Sequence, residues 1–393
     1  MKTSIDYVNI QDFFKEWYLV FTTRSILVLL ALLPFVISCV PETISPVDSN
    51  AFTTKFSPLN NQTILSLEEI AGFSSAEYYL PVRTIRYSVL TDQLLIAFEG
   101  SSQILGWYVN SKELAFQSKP QSPNFKPISL DKEGKILLGA VDSGQEKLFG
   151  IGVWNMENGQ LIECIAYPCD ENAITISSGY PAAKLDPDAK YVVTFDDSSY
   201  GASEILGSEL DGGISYVNSP DADYWWTIGD IAIDTNNDRL AIVFQEGRIW
   251  LDEVAHNNRL IIGPFGFYIP IANGKKNDLQ KIYAAEFDPS GRWLAVVRGD
   301  RLLIYRVGKY GGRLVSQFSL GHEGPRILNF NPTSEFLFIG GEDIIRVIRL
   351  KSQEQLVDIP AGGVTAMTIS DDNRLLIWGD KQGVIHIFGA PNQ

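Results

Sequence analysis

Short runs of alternating apolar and polar residues recur along most of the chain, each followed by a turn rich in Asp, Asn, Pro or Gly. Alternation with a period of two is typical of half-buried β-strands, and these turn residues favour hairpins. An apolar residue closes one strand, and seven positions later another lies in the next strand. The pattern predicts an all-β fold of repeated hairpins. Its seven pairs are Tyr87/Leu94, Leu130/Leu137, Leu185/Val192, Ile233/Leu240, Phe287/Leu294, Phe330/Leu337 and Ile369/Leu376.

The spacing of these pairs indicates the architecture. Their first members are 39 to 55 residues apart, which matches propeller blades of about 40 to 50 residues with loop insertions. The clearest copies, 287–307 and 369–388, each contain three strands and two turns. Fourth strands are visible in the segments GQLIECIA, RLVSQFSL and EQLVDIPA. We therefore expect a β-propeller of about seven four-stranded antiparallel blades over residues 63–393.

Several short motifs resemble those of WD repeats. Gly321-His322 is followed eight residues later by Phe330-Asn331-Pro332, and Trp154-Asn155 ends a predicted third strand. These elements are similar to the Gly-His, strand-opening and Trp-Asp elements of that family, with Tyr305 and Phe388 as aromatic residues near the corresponding position. The resemblance covers about residues 84–388. Because the chain has one Gly-His and no Trp-Asp, a related but distinct propeller family is an open alternative.

The last copy has no visible fourth strand after residue 388. A propeller closes when another part of the chain completes the open blade. We expect the segment between Gln62 and Leu80 to supply this strand. The closure would fasten both ends of the domain into one blade.

The region before the propeller contains an apolar run at 26–37, ILVLLALLPFVI, directly after Arg24 and Ser25. It is shorter than the roughly 18 residues of a membrane span and is typical of a signal sequence. Val36-Ile37-Ser38-Cys39 then resembles the lipobox of bacterial lipoproteins, which implies that Cys39 carries the lipid. We assign 1–38 to a signal or membrane-anchor segment and 39–62 to a flexible tether rich in Pro, Ser, Thr and Asn.

The first residues do not fit a short, basic signal start, because they include Asp6, Asp12 and Glu16. Two explanations stay open: translation that starts downstream of Met1, or an uncleaved signal anchor. Both place the propeller on the extracytoplasmic side of a bacterial membrane, with the bilayer bound through the N-terminus. There Cys164 and Cys169 could form a disulfide if the chain turns between them; the alternative is two separate thiols.

Charge and missing motifs exclude several function classes. The formal net charge is −15, and no cluster of Lys and Arg is visible, so we expect no nucleic acid partner. No catalytic serine elbow, phosphate loop, dinucleotide fingerprint or zinc-protease motif occurs. Three scattered histidines predict no metal cluster, and we expect His322 and His386 to be structural residues. The sequence therefore predicts no enzyme activity and no cofactor.

One segment has the spacing of a calcium loop, with oxygen donors at Asp234, Asn236 and Asp238. Arg239 stands where such a loop needs Gly, and Gln245 stands where it needs Glu. We expect an ordinary hairpin turn here.

Three long connections between blades are rich in aromatic residues: 167–179, 219–227 and 263–280. Such connections emerge on one face of a propeller, and Tyr and Trp offer large contact areas with few rotors to fix. They predict an aromatic binding face; the alternative is that the rings pack against the blades. The candidate residues are Tyr167, Tyr224, Trp225, Trp226, Phe265, Phe267 and Tyr268.

The anchor, the repeats and the missing motifs together predict a membrane-anchored, non-enzymatic scaffold. Its partners would be other proteins of a membrane or envelope assembly. The alternative is a propeller that binds or processes glycans with carboxylates of its central funnel.

Overall fold

The computed structural model of the chain describes most of the segment from residue 52 to residue 391. The described residues are 52–74, 80–89, 92–98, 104–111, 113–118, 125–131, 134–142, 149–156, 160–167, 174–175, 182–186, 189, 191–195, 205–209, 213–217, 228–234, 236, 239–245, 248–253, 267–270, 280–308, 311–322, 324 and 326–391. Cys39 and the apolar run at 26–37 lie outside them. Within these ranges, no helix has the length and hydrophobicity needed to cross a membrane.

Two strands precede the first complete sheet, β1 (Phe56–Ser57) and β2 (Glu68–Ser74), with short 3-10 helices at Phe52–Lys55 and Thr63–Ser66. The described residues form seven sheets, six of which each come from one continuous stretch of chain. The first three have the following strands. Sheet I contains β3 (Val82–Ser88), β4 (Gln93–Phe98), β5 (Ile104–Tyr108) and β6 (Glu113–Ser118); sheet II contains β7 (Phe125–Leu130), β8 (Ile136–Asp142), β9 (Phe149–Asn155), β10 (Leu161–Tyr167) and β11 (Ile174–Thr175); sheet III contains β12 (Ala182–Leu185), β13 (Tyr191–Phe195), β14 (Ile205–Glu209) and β15 (Gly213–Val217).

The remaining sheets follow in chain order. Sheet IV contains β16 (Ile228–Asp234), β17 (Arg239–Phe244), β18 (Arg248–Glu253) and β19 (Phe267–Pro270); sheet V contains β20 (Ile282–Phe287), β21 (Trp293–Arg298), β22 (Arg301–Gly308) and β23 (Gly311–Ser319); sheet VI contains β24 (Ile327–Phe330), β25 (Phe336–Gly340), β26 (Ile344–Arg349) and β27 (Glu354–Pro360); sheet VII contains β28 (Val364–Ile369), β29 (Leu375–Asp380) and β30 (Val384–Pro391), and β1 and β2 complete it.

The first strands of the sheets are arranged in a closed ring. Strands β3, β7, β12, β16, β20, β24 and β28 contact one another in this order, and β28 contacts β3. The chain is thus an all-β propeller. The expected antiparallel four-stranded sheets are present: sheets I and III to VI have four strands, sheet II adds the short parallel strand β11, and in sheet VII β1 and β2 both pair with β30.

The pairs read from the sequence are direct cross-strand partners. In every sheet, the two members of the pair lie opposite each other across the first hairpin, for example Tyr87 opposite Leu94 and Ile369 opposite Leu376. The predicted hairpins are confirmed. The second member is buried in each hairpin, so this position supplies the core between neighbouring sheets.

The turn inside the first hairpin is stabilised by one polar side chain. The residue after the first pair member accepts a hydrogen bond from the N–H five positions later: Ile136 to Asp131 (2.8 Å), Trp293 to Asp288 (2.5 Å) and Phe336 to Asn331 (2.8 Å). A residue with positive φ completes these turns at Gly134, Gly291 and Ser334. Glycine adopts this conformation without strain, which explains the Asp-x-x-Gly pattern.

The aromatic residues that resemble the WD-repeat ending share one register position. Trp154, Tyr305 and Phe388 lie on the third strand of their sheets, opposite Leu137, Leu294 and Leu376 respectively. Trp107 has the same position opposite Leu94 in sheet I. Trp154 and Tyr305 are buried, so these rings contribute to the packing of the sheets.

The predicted closure is confirmed, because β2 pairs antiparallel with β30 from Glu68 opposite Gly389 to Ser74 opposite Val384. The folded propeller begins before residue 63, the first residue of the predicted domain. In the predicted tether 39–62, Phe56 pairs with Pro391, and Leu59 is buried against sheets VI and VII. Residues 52–62 are therefore part of the propeller, because their apolar side chains cover its edge.

Candidate functional site

Three residues of the predicted aromatic binding face lie among the described residues. Tyr167 is the last residue of β10, and Phe267 and Tyr268 lie in β19, so these three belong to strands and not to connections as expected. Tyr167 pairs with Thr175 of β11, and Phe267 and Tyr268 pair with β18. Tyr224, Trp225, Trp226 and Phe265 lie outside the described residues, and their role stays a prediction.

The next residues named from the sequence are two cysteines and two histidines. Cys164 is in β10, and Cys169 lies outside the described residues, so the disulfide stays a prediction. His322 contacts Arg326: its carbonyl accepts a hydrogen bond from Nη2 (3.2 Å), and its Nε2 is 3.1 Å from the same atom. His386 lies in β30 between two carboxylates, 2.9 Å from Glu69 and 3.3 Å from Asp380. Both histidines therefore contact charged side chains, and their structural role stays a prediction.

The candidate calcium loop is a hairpin turn with its own cation. Asp234 ends β16, and its carboxylate binds the guanidinium of Arg239 at 2.5 Å. Arg239 occupies the position where a calcium loop needs glycine, and both side chains of this ion pair are buried. Among the described residues, no group of His, Cys, Asp and Glu side chains could hold a metal ion.

The turns between first and second strands all lie on one face of the ring, which we call the AB face. Polar contacts connect turns of neighbouring sheets there. Two join turn to turn, Ser290 N to Ser334 Oγ (3.2 Å) and Asn331 Nδ2 to Asn373 Oδ1 (3.0 Å), and a third joins Arg86 Nη2 on β3 to Asp371 Oδ1 in the turn of sheet VII (3.0 Å). These contacts fix the position of one sheet against the next, so side chains at the AB face are held by a rigid frame.

Sheets V and VI form a groove on the AB face with a volume of about 1020 Å³. Its walls are the ends of β21, β22 and β23 on one side and the two turns of sheet VI on the other. Asn61, from the segment that precedes β2, also lines it. Five cationic side chains define this feature, which we call the basic groove: Arg292, Arg306, Arg313, Arg349 and Lys351.

The charges of the basic groove are only weakly compensated. Among the described residues that line it, Glu335 is the one acidic residue. Arg349 Nη1 lies 3.9 Å from Glu354, whose side chain is 62% exposed. An ion pair this long and this exposed contributes little. The groove therefore has a positive field although the whole chain carries −15.

The neighbours of two arginines orient them in the groove. Arg306 lies over the ring of Trp293, with 5.9 Å between the guanidinium carbon and the ring centre. Arg292 donates a hydrogen bond through Nε to Ser290 at 2.9 Å. A stacked guanidinium keeps its N–H donors free for a ligand while its orientation is restricted. The groove thus presents donors that suit carboxylates.

The sequence expectation of no Lys and Arg cluster is wrong for the folded chain. The five cations come from positions 292 to 351 and from two sheets: Arg306 on β22 and Arg313 on β23 are cross-strand partners in sheet V, whereas Arg349 ends β26 in sheet VI. Strand pairing within sheet V thus places two of the arginines opposite each other, and the packing of sheets V and VI adds Arg349 and Lys351. In the sequence, the basic residues at positions 292, 313 and 351 are the signal that could have indicated this cluster of cations.

A second polar cluster lies in the central channel. Lys184 on β12 donates to Asp230 on β16 (3.2 Å) and to the carbonyl of Ala285 (2.7 Å). Its Nζ is also 3.9 Å from Glu286 on β20. A cavity of about 340 Å³ here is lined by side chains of five first strands, including Arg86 and Ser129.

The channel changes the acidity of one carboxyl group. Enclosure by the inner strands raises the pKa of Glu286 and outweighs the opposing effect of Lys184; the charge of Asp230 raises it further. The Glu286 side chain is 46% exposed within the channel. Because its pKa is raised, this carboxyl group can act as a proton donor at a higher pH than an ordinary glutamate.

Comparison with known proteins identifies the fold. No protein-family model and no curated protein matches the sequence. The chain is similar to a crystal structure of the β-propeller domain of Cps50 (Swd1) from Myceliophteria thermophila, with a TM-score of 0.60 and 14% identity over 82% of this chain and 99% of that one. At this identity the similarity shows the fold alone.

Proposed function

We propose that this chain is a membrane-anchored, non-enzymatic scaffold that binds protein partners through the AB face of its propeller. The observation that carries the proposal is the basic groove. The five cations of this concave surface are only weakly compensated. They repel one another, which is an electrostatic cost to the folded chain. A negatively charged partner would remove this repulsion.

The rigid frame supports a binding role. The groove lies between sheets V and VI, whose inner strands and turns are joined by hydrogen bonds and a shared apolar core. A surface that is ordered before binding loses less conformational entropy when the partner binds. Scaffolds benefit from such preorganised faces.

The proposed location rests on the sequence. The apolar run at 26–37 and the lipobox-like residues ending at Cys39 support a lipid anchor on the extracytoplasmic side of a bacterial membrane. The uncleaved signal anchor is the alternative. Replacing Cys39→Ser should release the protein from membranes or block its maturation. An intact chain that retains residues 1–38 in mass spectrometry would contradict the lipoprotein and support the signal anchor.

Affinity purification from membranes tests the scaffold function. The wild-type full chain, solubilised in mild detergent, should retain a reproducible set of proteins identified by mass spectrometry. The double variant Arg306→Gln and Arg313→Gln should lose at least one of them. The control Lys281→Gln and Arg301→Gln removes the same charge elsewhere on sheet V and should retain the full set. Equal sets for all three proteins would contradict binding at this groove.

The channel cluster favours a second candidate function, glycan binding or processing. Asp230 and Glu286 both contact Lys184, and the raised pKa of Glu286 suits a general acid. A Glu286→Gln variant should then lose glycan binding in calorimetry, or lose hydrolysis measured as released reducing sugar. Wild-type protein without either activity on a broad glycan panel would exclude this candidate.

A further inference from the structure

We propose that the basic groove binds an extended acidic segment of a partner protein, with several Asp or Glu side chains spaced along it. This inference rests on the scaffold function proposed above and names the chemistry of its partner. Four of the five cations are arginines. Arginine presents a planar fork of N–H donors that matches a carboxylate in bidentate fashion.

The distribution of the cations favours an extended ligand over a compact anion. Arg292, Arg306 and Arg313 come from three successive strand ends of sheet V, whereas Arg349 and Lys351 lie at one turn of sheet VI. The two sets stand on opposite walls. Arg306 and Arg313 are cross-strand partners and can share one anionic group, whereas Arg349 and Lys351 on the other wall need further anions along the ligand. Carboxylates at intervals along a peptide can reach both walls.

The uncharged lining suits a peptide. Trp293 and Val315 supply apolar surface, and Asn61, Thr333 and Gln353 supply polar groups that can bond to a peptide backbone. Protein binding grooves combine such apolar contact with polar groups that fix orientation. A lining of this kind can contact both the methylene groups of Glu side chains and the backbone that carries them.

The net charge of the chain disfavours the two other polyanions. A nucleic acid backbone or an anionic bilayer extends well beyond the groove and would meet the rest of a chain that carries −15. A concave groove also fits a narrow strand better than a flat bilayer. A short acidic segment can place its charge within the groove alone.

Fluorescence anisotropy with the full chain tests this inference. The probe is a labelled 12-residue peptide rich in Glu and Gly, and the comparison is the same peptide with every Glu replaced by Gln. We expect saturable binding of the Glu peptide that weakens steeply between 50 and 300 mM NaCl, and at least tenfold weaker binding of the Gln peptide. Equal binding of both peptides would overturn the inference.

Matched variants locate the site. Arg306→Gln with Arg313→Gln should weaken binding of the Glu peptide about tenfold or more. Lys281→Gln with Arg301→Gln removes the same charge from sheet V outside the groove and should change binding less than twofold. Both variants should unfold at the wild-type temperature, because the four side chains are exposed. If the two double variants weaken binding equally, the attraction is general and the groove assignment fails.

The remaining outcomes separate this inference from the proposed function. Binding of single-stranded DNA or of vesicles with anionic phospholipid, tighter than binding of the Glu peptide and lost in the groove variant, would assign the groove to a different polyanion. If no peptide binds but the groove variant still loses co-purifying proteins, the acidic segment is wrong and the scaffold stands. If the wild type retains no protein from membranes, the scaffold function itself fails.

Discussion

The side-chain amide of Asn331 donates a hydrogen bond of 3.0 Å to the side-chain oxygen of Asn373, across the boundary between sheets VI and VII. Both residues are buried, and both occupy first-hairpin turns. Asn331 also accepts hydrogen bonds from the N–H groups of Glu335 and Phe336. Asn373 in turn donates to the carbonyl of Leu59 at 2.9 Å. This relay ties the N-terminal segment to the turns of the AB face.

Asn331→Ala should lower the free energy of unfolding by about 2 to 4 kcal/mol, because it leaves buried N–H groups and the Asn373 oxygen without partners. Chemical denaturation monitored by tryptophan fluorescence measures the change. Gln355→Ala, at an exposed position on β27 of the same sheet, is the control and should cost less than about 1 kcal/mol. A loss for Asn331→Ala no larger than that of the control would show that the relay is dispensable.

Arg239→Met should destabilise the chain by about 3 to 5 kcal/mol, because it leaves the buried carboxylate of Asp234 without its cation. Arg239 also donates to the carbonyl of Gly308 at 2.8 Å, which connects sheets IV and V. Arg301→Met, at a side chain that is 51% exposed, should change stability by less than about 0.5 kcal/mol. Adding Asp234→Asn should recover part of the loss in a double-mutant cycle; further destabilisation by the second change would argue against a charge effect.

A chain that ends at residue 383 should fail to fold cooperatively. It lacks β30, so β2 and β29 both lose their partner and expose unpaired edges. Removing only residues 392–393 should leave the thermal unfolding transition unchanged, because β30 ends at Pro391. A sharp transition in the shorter chain, by circular dichroism, would show that the ring does not need this closure.

Glu286→Gln should change the pH dependence of stability. The folded state raises the pKa of Glu286 above its ordinary value, so the protonated form is favoured by folding. Its contribution is therefore complete below the unfolded pKa and decreases as the pH rises through the folded pKa. The variant should be at least as stable as the wild type at pH 8 and should lose less stability between pH 4 and pH 8. Identical melting profiles across this range would contradict the assigned shift.

Trp225→Ala with Trp226→Ala tests the aromatic face expected from the sequence. Binding residues at a surface would cost about 2 kcal/mol of binding or more with little change in stability, whereas packed rings would cost about 3 to 5 kcal/mol of stability. We expect unchanged thermal unfolding and fewer co-purifying proteins. A sharp fall in unfolding temperature would place both rings in the core.

The sequence by itself determined the repeated hairpins and their register. Each pair, such as Phe287 and Leu294, is separated by one short turn, so its partners are close in the chain and the turn chemistry of Asp288 and Gly291 selects the geometry. The need for a closing strand followed from the same pattern, since the last copy was one strand short. The register of such hairpins depends on residues that are close together in the sequence.

Only the tertiary structure decided which charges become neighbours. Arg306 and Lys351 lie 45 positions apart, and Lys184, Asp230 and Glu286 lie on three different sheets. Their proximity depends on how adjacent sheets pack and on the closure of the ring, which no single stretch of sequence encodes. Phe267 and Tyr268 were expected in a connection but lie in a strand, because pairing with β18 defines β19. The basic groove is therefore a property of the assembled ring, while the hairpins that carry it are properties of the sequence.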